Sequence, residues 1–209
     1  MQFGIVVCSP ISEGAEMKWM MAMLLMVQVV SANPEERVRE IRSWYAAIQN
    51  AKAESEVKTE FADDEEFLTG TRTVRKYAGN LTAMTVEWGA GDHGWAEEHY
   101  YFRNGELFFA YHVLSSWSFV EGGTPEKPLT EDTRKEIRYY FDGVECIRAL
   151  TRSASARDAS TLVKKIASVE QESIEVDADA RSAPARAGKL LKATTDAAIC
   201  AALEAESGE

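Results

Sequence analysis

Glu97-Glu98-His99-Tyr100-Tyr101-Phe102-Arg103-Asn104-Gly105-Glu106-Leu107-Phe108-Phe109-Ala110-Tyr111-His112-Val113-Leu114 is the stretch whose reading decides the fold. Two runs rich in aromatic and β-forming residues flank Asn104-Gly105. That dipeptide readily supplies the two positive-φ positions of a tight hairpin turn. If pairing proceeds outward from the turn without interruption, Arg103 faces Glu106, Tyr101 faces Phe108, His99 faces Ala110, Glu97 faces His112 and Trp95 faces Leu114. One side of the ribbon then carries Ala96, Glu98, Tyr100, Phe102, Leu107, Phe109, Tyr111 and Val113. It is the more apolar side and is expected to be the core.

A second copy of the pattern lies downstream. Glu136-Ile137-Arg138-Tyr139-Tyr140-Phe141 runs into Asp142-Gly143, matching Glu97-Glu98-His99-Tyr100-Tyr101-Phe102 at the Glu, Tyr, Tyr and Phe positions. The reading is one supersecondary unit used twice, with Tyr139, Phe141, Val144 and Cys146 sharing the core side. If both hairpins belong to one sheet, its other face is a polar-aromatic surface of Glu97, His99, Tyr101, His112, Arg138 and Tyr140. The Tyr-Tyr-Phe-x-Asn-Gly segment resembles, locally, the hairpins of MORN-type repeats, in which an aromatic strand runs into an Asn-Gly turn. The 39 residues from Tyr100 to Tyr139 are too many for a tandem array of such short units.

Working outward, Thr71 to Tyr77 and Leu81 to Trp88 read as strands joined by Ala78-Gly79-Asn80. Pro34 to Ser55 reads as a helix: Asn33 can cap it, Pro34 fits the first turn, and Glu35 and Glu36 suit the positive end of the dipole. Val38, Ile41, Trp44, Tyr45 and Ile48 form its apolar stripe. Glu54 to Glu66 is acidic and reads as loop or frayed helix. Ser118 to Asp132, with Gly122-Gly123, Pro125 and Pro128, reads as a long loop. Asp158 caps a helix to about Ser173 that is expected to pack on the domain, Glu175 to Ala187 is linker-like, and Gly188 to Glu204 is an Ala-rich helix expected to be a loose tail or a partner-binding helix. The fold class is therefore α+β. An N-terminal helix packs on an antiparallel meander of about six strands built around two Tyr-Tyr-Phe hairpins, followed by C-terminal helices. Residues 33–174 form the single domain, and 175–209 a linker and terminal helix.

The N-terminal region reads as a leader. Met17-Lys18 supplies a short basic start, Trp19 to Val30 is apolar apart from Gln28, and Val30-Ser31-Ala32 resembles a cleavage site, so cleavage is expected between Ala32 and Asn33. The apolar run is shorter than the roughly 20 residues that span a bilayer, and no stable membrane anchor is expected after cleavage. Residues 1–16 hold no Lys or Arg and two Glu, unlike a signal n-region. They read as an extension from a mis-assigned start, with the true start at Met17. The expected setting is export to the periplasm or secretion.

The net charge of the 209-residue chain is −11, of which Glu13, Glu16 and Lys18 account for −1, leaving −10 on residues 33–209. Such a balance disfavours nucleic acid as a partner. Cys8 precedes the cleavage site. Cys146 and Cys200 follow it, with no CxxC or zinc spacing, and could pair in an oxidising compartment or remain thiols.

Under the uninterrupted register, Glu97 opposes His112 with His99 diagonal to it. These three are the candidates for a metal site or an acid–base pair, with Asp92 and His93 at the strand entrance as additional ligands. No HExxH, GxSxG, phosphate-loop or dinucleotide motif accompanies them, so no cofactor is implied. The favoured expectation is a non-enzymatic exported domain that binds a partner protein or small ligand. The polar-aromatic face, or Trp117 and Phe119 in the long loop, would serve as the anchor. The rival is a small metal-binding or hydrolase-like enzyme centred on Glu97, His99 and His112.

Overall fold

The computed structural model describes residues 33–65, 67–90 and 94–204. The leader from Met17 to Ala32, Cys8, and the loop residues Asp92 and His93 lie outside the described residues. The chain begins with α1 (Pro34–Asn50). Asn33 caps it, its side chain accepting from Glu35 N at 3.0 Å, and Val38, Ile41 and Ile48 are buried. Eight strands form one antiparallel sheet in sequential order: β1 (Ser55–Asp63), β2 (Leu68–Tyr77), β3 (Leu81–Ala90), β4 (Gly94–Arg103), β5 (Glu106–Thr124), β6 (Lys127–Asp142), β7 (Glu145–Ala156) and β8 (Glu172–Ile174). Helix α2 (Ala159–Ser168) lies between β7 and β8, and α3 (Ala178–Lys192) and α4 (Asp196–Glu204) close the fold.

The class is α+β as expected, with eight strands rather than six. The six expected strands are β2 to β7, and the additions are at the edges. In β1, Val57, Thr59 and Phe61 alternate with Glu56, Lys58 and Glu60. The segment expected as an acidic loop is thus an edge strand whose charges blunt its open side. The expected loop Ser118–Asp132 is instead a two-stranded arm. Trp117 pairs with Asp132 and Val120 with Leu129, and the ladder resumes at Thr124 and Lys127. Gly122 (φ +97°) and Gly123 sit at the register break, so the glycines make an irregularity inside a ribbon rather than a loop.

The first Tyr-Tyr-Phe unit turns at Asn104-Gly105 as expected, whereas the second turns one residue later than expected, at Gly143-Val144, because Asp142 pairs with Glu145. Asn104 and Gly105 take φ of 53° and 83°, and Gly143 takes 60°. The register beyond each turn departs from expectation. Phe102 pairs with Leu107, but Tyr101 pairs with Phe109, leaving Phe108 as the extra residue of a β-bulge. The second hairpin repeats this: Phe141 pairs with Cys146 and Tyr140 with Arg148, leaving Ile147 unopposed. A one-residue slip moves every later side chain to the opposite face. Phe109, Tyr111 and Val113 therefore leave the face that carries Tyr100 and Phe102, and His112 joins it.

The sheet is buried on both faces. On one, Ala83, Tyr101, Phe108, Phe109 and Tyr140 pack against Val38, Ile41 and Ile48 of α1, with Trp44 and Tyr45 meeting Phe108 and Phe109 edge-on at ring distances of 5.3 Å. On the other, Met84, Val86, Tyr100, Phe102, Tyr139 and Phe141 form the larger core with α3 and α4. Val144, expected on that core side, is 81% exposed at the turn. The terminal helices are thus integral to the fold and not loosely attached. The reason is a stripe of Ala180, Ala183, Ala187 and Leu190 along α3, whose small side chains let the helix lie close on the sheet. Two arginine contacts hold it there. Arg72 of β2 donates to the carbonyls of Leu190 and Ala193 at 2.6 and 2.7 Å, satisfying the end of α3. Arg186 donates to Glu98, which also accepts from Trp88 Nε1 at 3.1 Å and from the Tyr100 hydroxyl at 2.6 Å. Cys146 and Cys200 are free thiols.

Two glycines give this packing opposite tests. A Cβ on Gly70 would lie 2.4 Å from the Glu87 carbonyl oxygen and 2.5 Å from the Phe61 ring, whereas one on Gly188 of α3 meets nothing within 4 Å. Gly70→Ala is expected to cost about 1–3 kcal/mol. Gly188→Ala is expected to gain about 1 kcal/mol from helix propensity. Urea unfolding of the two variants checks both signs.

Candidate functional site

The face that meets α1 is only partly covered by it. Where the helix leaves the sheet, a cavity of about 440 Å³ opens, lined by Ile41, Arg42 and Tyr45 of α1, Phe109 and Tyr111 of β5, Arg138 and Tyr140 of β6, and Gln171 ahead of β8. Its size lies within the range of about 300–1,000 Å³ common for small-molecule sites. The walls are mainly aromatic, because the bulge at Phe108 aims Phe109 and Tyr111 toward α1. The Arg138 guanidinium lies over the Tyr111 ring, 5.2 Å from its centre, a cation–π arrangement that restrains both side chains.

Beyond the cavity the same face carries a polar network. Glu136, 4% exposed, accepts from Arg134 Nε at 3.1 Å and Arg152 Nε at 2.8 Å, and Arg138 approaches it at 3.9 Å. The Tyr111 hydroxyl also hydrogen-bonds Glu136. Burial works against ionisation of Glu136, but the hydrogen bonds from Arg152, Arg134 and Tyr111 outweigh it and hold the carboxyl below its usual range. Burial, reinforced by the charge of Glu136, pushes the Tyr111 phenol up. His99 stacks on Tyr111 with ring centres 5.5 Å apart. Its Nε2 lies 2.9 Å from Glu97 and its Nδ1 3.2 Å from the Thr85 hydroxyl. Since a carboxylate only accepts, Nε2 carries the proton in the neutral ring and Thr85 donates to Nδ1. Burial lowers the His99 pKa, while the charge and hydrogen bond of Glu97 pull it the other way.

The sequence-derived residues divide as follows. Glu97, His99, Tyr101, Arg138 and Tyr140 share one side of the sheet, as expected, but α1 packs on that side and buries Tyr101 and Tyr140, so it is not the open surface expected. Tyr101 is buried under α1 against Tyr45, at a ring distance of 5.1 Å, and burial raises its hydroxyl pKa. His112 does not share that side. It pairs with Glu98 rather than Glu97, is buried on the opposite face, and sits edge-on to Tyr100 and Tyr139 at 5.4 and 5.5 Å. The trio Glu97, His99 and His112 is therefore not brought together. Among the described residues, no group of three or more His, Cys, Asp or Glu side chains is arranged to hold a metal ion. Thr85, His99 and Glu97 do form a hydroxyl–imidazole–carboxylate chain. β3, β4 and β5 are interior strands whose backbone N–H groups are engaged in the ladder, so the chain orients the ring rather than facing free donors for an oxyanion. Trp117 and Phe119 lie on the arm with their rings edge to face at 5.2 Å, and Phe119 is 66% exposed.

Arg42, Tyr45, Phe109, Tyr111 and Gln171 line the cavity without having been singled out by the sequence as candidate site residues. Tyr111 replaces His112 on this face through the bulge alone. The signal available was the unbroken run Leu107 to Val113, which has no alternation and so marks a strand buried on both sides. No protein-family model, no curated protein and no solved structure matches this chain.

Two outcomes follow from the polar network. Glu136→Gln leaves three arginines without their shared carboxylate and is expected to cost about 2 kcal/mol at pH 7, discounted for the partial exposure of the arginines. Because the folded-state pKa of Glu136 is depressed, its contribution is present above its unfolded value near 4.5 and is lost as pH falls through the folded value. Denaturation at pH 7 and at pH 3 should show the gap between wild type and variant closing. In an NMR titration, His99 should have a midpoint below 6.5, and Glu97→Gln should move it lower still.

Proposed function

We propose that this chain is an exported, non-enzymatic binding protein whose ligand occupies the cavity between α1 and the sheet. The observation that carries this reading is the cavity itself. It is a half-open recess with aromatic walls, Tyr45, Phe109, Tyr111 and Tyr140, and polar residues Arg42, Arg138 and Gln171 along its lining. A mostly apolar recess with a few convergent polar groups is the usual form of a small-molecule site. The rings are positioned by packing against α1 and the neighbouring strands, so a ligand would meet rigid walls and lose little to reorganisation. Arg138 and Tyr140, anticipated from the repeat, belong to this site in the proposal.

Export rests on residues 17–32, with their basic start, apolar run and Val30-Ser31-Ala32. Cleavage after Ala32 would release a chain beginning at Asn33, whose side chain caps α1 through its own oxygen and needs nothing upstream. Expression of the full chain in a bacterial host should yield an extracytoplasmic protein with Asn33 at its N-terminus by mass spectrometry. An intracellular product retaining Met17 to Ala32 would contradict export.

The cavity is tested with the neutral fluorophore N-phenyl-1-naphthylamine. Saturable 1:1 fluorescence enhancement is expected. Gln171→Trp, at an exposed rim position, should weaken it about tenfold or more by blocking the mouth. Saturable binding that the rim substitution leaves intact would place the dye elsewhere.

A further inference from the structure

Charge at the cavity mouth does not balance. Glu136 brings one negative charge, and three guanidiniums share it: Arg134 at 3.1 Å, Arg152 at 2.7 Å and Arg138 at 3.9 Å. Arg138 is the most distant of the three and the one that lines the cavity, so it is the least neutralised. Arg42 stands on α1 at the same cavity and has no ion-pair partner among the described residues. Elsewhere on this face Glu87 and Glu97 oppose each other on β3 and β4, Glu97 is engaged by His99, and Glu35 and Asp142 are engaged by Arg148 and Arg37. The residues that line the cavity thus carry two guanidiniums and no carboxylate. This positive concentration occurs in a chain whose total charge is −11.

Both guanidiniums border aromatic walls. Arg138 lies over the Tyr111 ring, 5.2 Å from its centre, a contact that restrains its guanidinium before any ligand arrives. A planar guanidinium matches a carboxylate bidentately, and Tyr45, Phe109 and Tyr140 offer faces and edges to a flat apolar body.

We propose that the cavity recognises an aromatic carboxylate, with the acid group between Arg42 and Arg138 and the ring system against Tyr45, Phe109 and Tyr140. The proposal rests on the reading of the cavity as a ligand site and adds to it the charge and shape of the ligand. The geometry also separates the roles: the two arginines select the head group, and the rings supply affinity that a neutral analogue would share.

The test compares 2-naphthoate with 2-naphthamide, which carry the same ring body with and without the charge, by calorimetry on the purified protein. The acid is expected to bind about tenfold or more tightly than the amide, because hydrogen bonds to a charged group carry that difference. Added salt should weaken the acid alone. Arg42→Gln, at an exposed helix position, should reduce the preference while leaving the melting temperature nearly unchanged, and Arg138→Gln should reduce the ratio of acid to amide affinity even where removing its contact with Tyr111 weakens both ligands. Equal binding of acid and amide, or a preference that survives both substitutions, overturns the anion assignment but leaves the cavity as a ligand site. Absence of binding by both compounds and by the neutral dye overturns the cavity reading together with it.

Discussion

Two β-bulges, one beyond each Tyr-Tyr-Phe turn, are the constraint on which the rest of the molecule depends. In a strictly alternating ribbon, Phe108 and Phe109 would face opposite ways, as would Ile147 and Arg148. The bulges turn both members of each pair toward α1. Phe108 and Phe109 receive Trp44 and Tyr45, Ile147 joins the same cluster, and Arg148 reaches Glu35 in the first turn of the helix. The adjacent tyrosines of each copy then divide between the layers. Tyr100 and Tyr139 enter the larger core, while Tyr101 and Tyr140 meet α1. Each repeat thus binds the two layers of helix to one sheet.

A sheet covered on both faces must place its charged residues with partners. Glu98 lies in the larger core because Arg186, Trp88 and Tyr100 surround it, and Glu136 lies on the other face because arginines and Tyr111 do the same. Their consequences differ. The Glu98 cluster is closed and fixes where α3 lies, aided by Arg72 at the helix end. The Glu136 cluster has more cationic than anionic members and opens toward the cavity. Burial of one charge there serves to orient several others, among them Arg138 in the cavity lining.

Much of this was legible in the residues. The cap at Asn33, the apolar stripe of α1, the turns at Ala78-Gly79-Asn80 and Asn104-Gly105 and the two Tyr-Tyr-Phe strands follow from local chemistry, and the structure reproduces each, while the turn after Phe141 falls one residue later than its Asp-Gly pair suggests. The departures share a cause: the information was non-local. Nothing adjacent to Phe108 marks it as a bulge; its seat against Trp44 does, and that contact joins segments more than 60 residues apart. Likewise Ala180, Ala183 and Ala187 look like linker composition until a sheet is present for small side chains to approach. The arm was misread because Gly122-Gly123 and two prolines outweighed the β-forming Trp117, Phe119, Val120 and Leu129. Of the residues that line the cavity, Arg138 and Tyr140 are the two that the repeat singles out. Tyr111 and Arg42 required the register and the helix placement.

Ring-to-ring contacts in a nuclear Overhauser spectrum test the bulged register most directly, because the histidines report opposite faces. The account predicts cross-peaks between the rings of His99 and Tyr111, and separately between those of His112 and Tyr100 and Tyr139. Contacts from the His112 ring to the side chains of Glu97 and His99 would contradict it. They would restore the unbulged pairing and remove Tyr111 from the cavity wall.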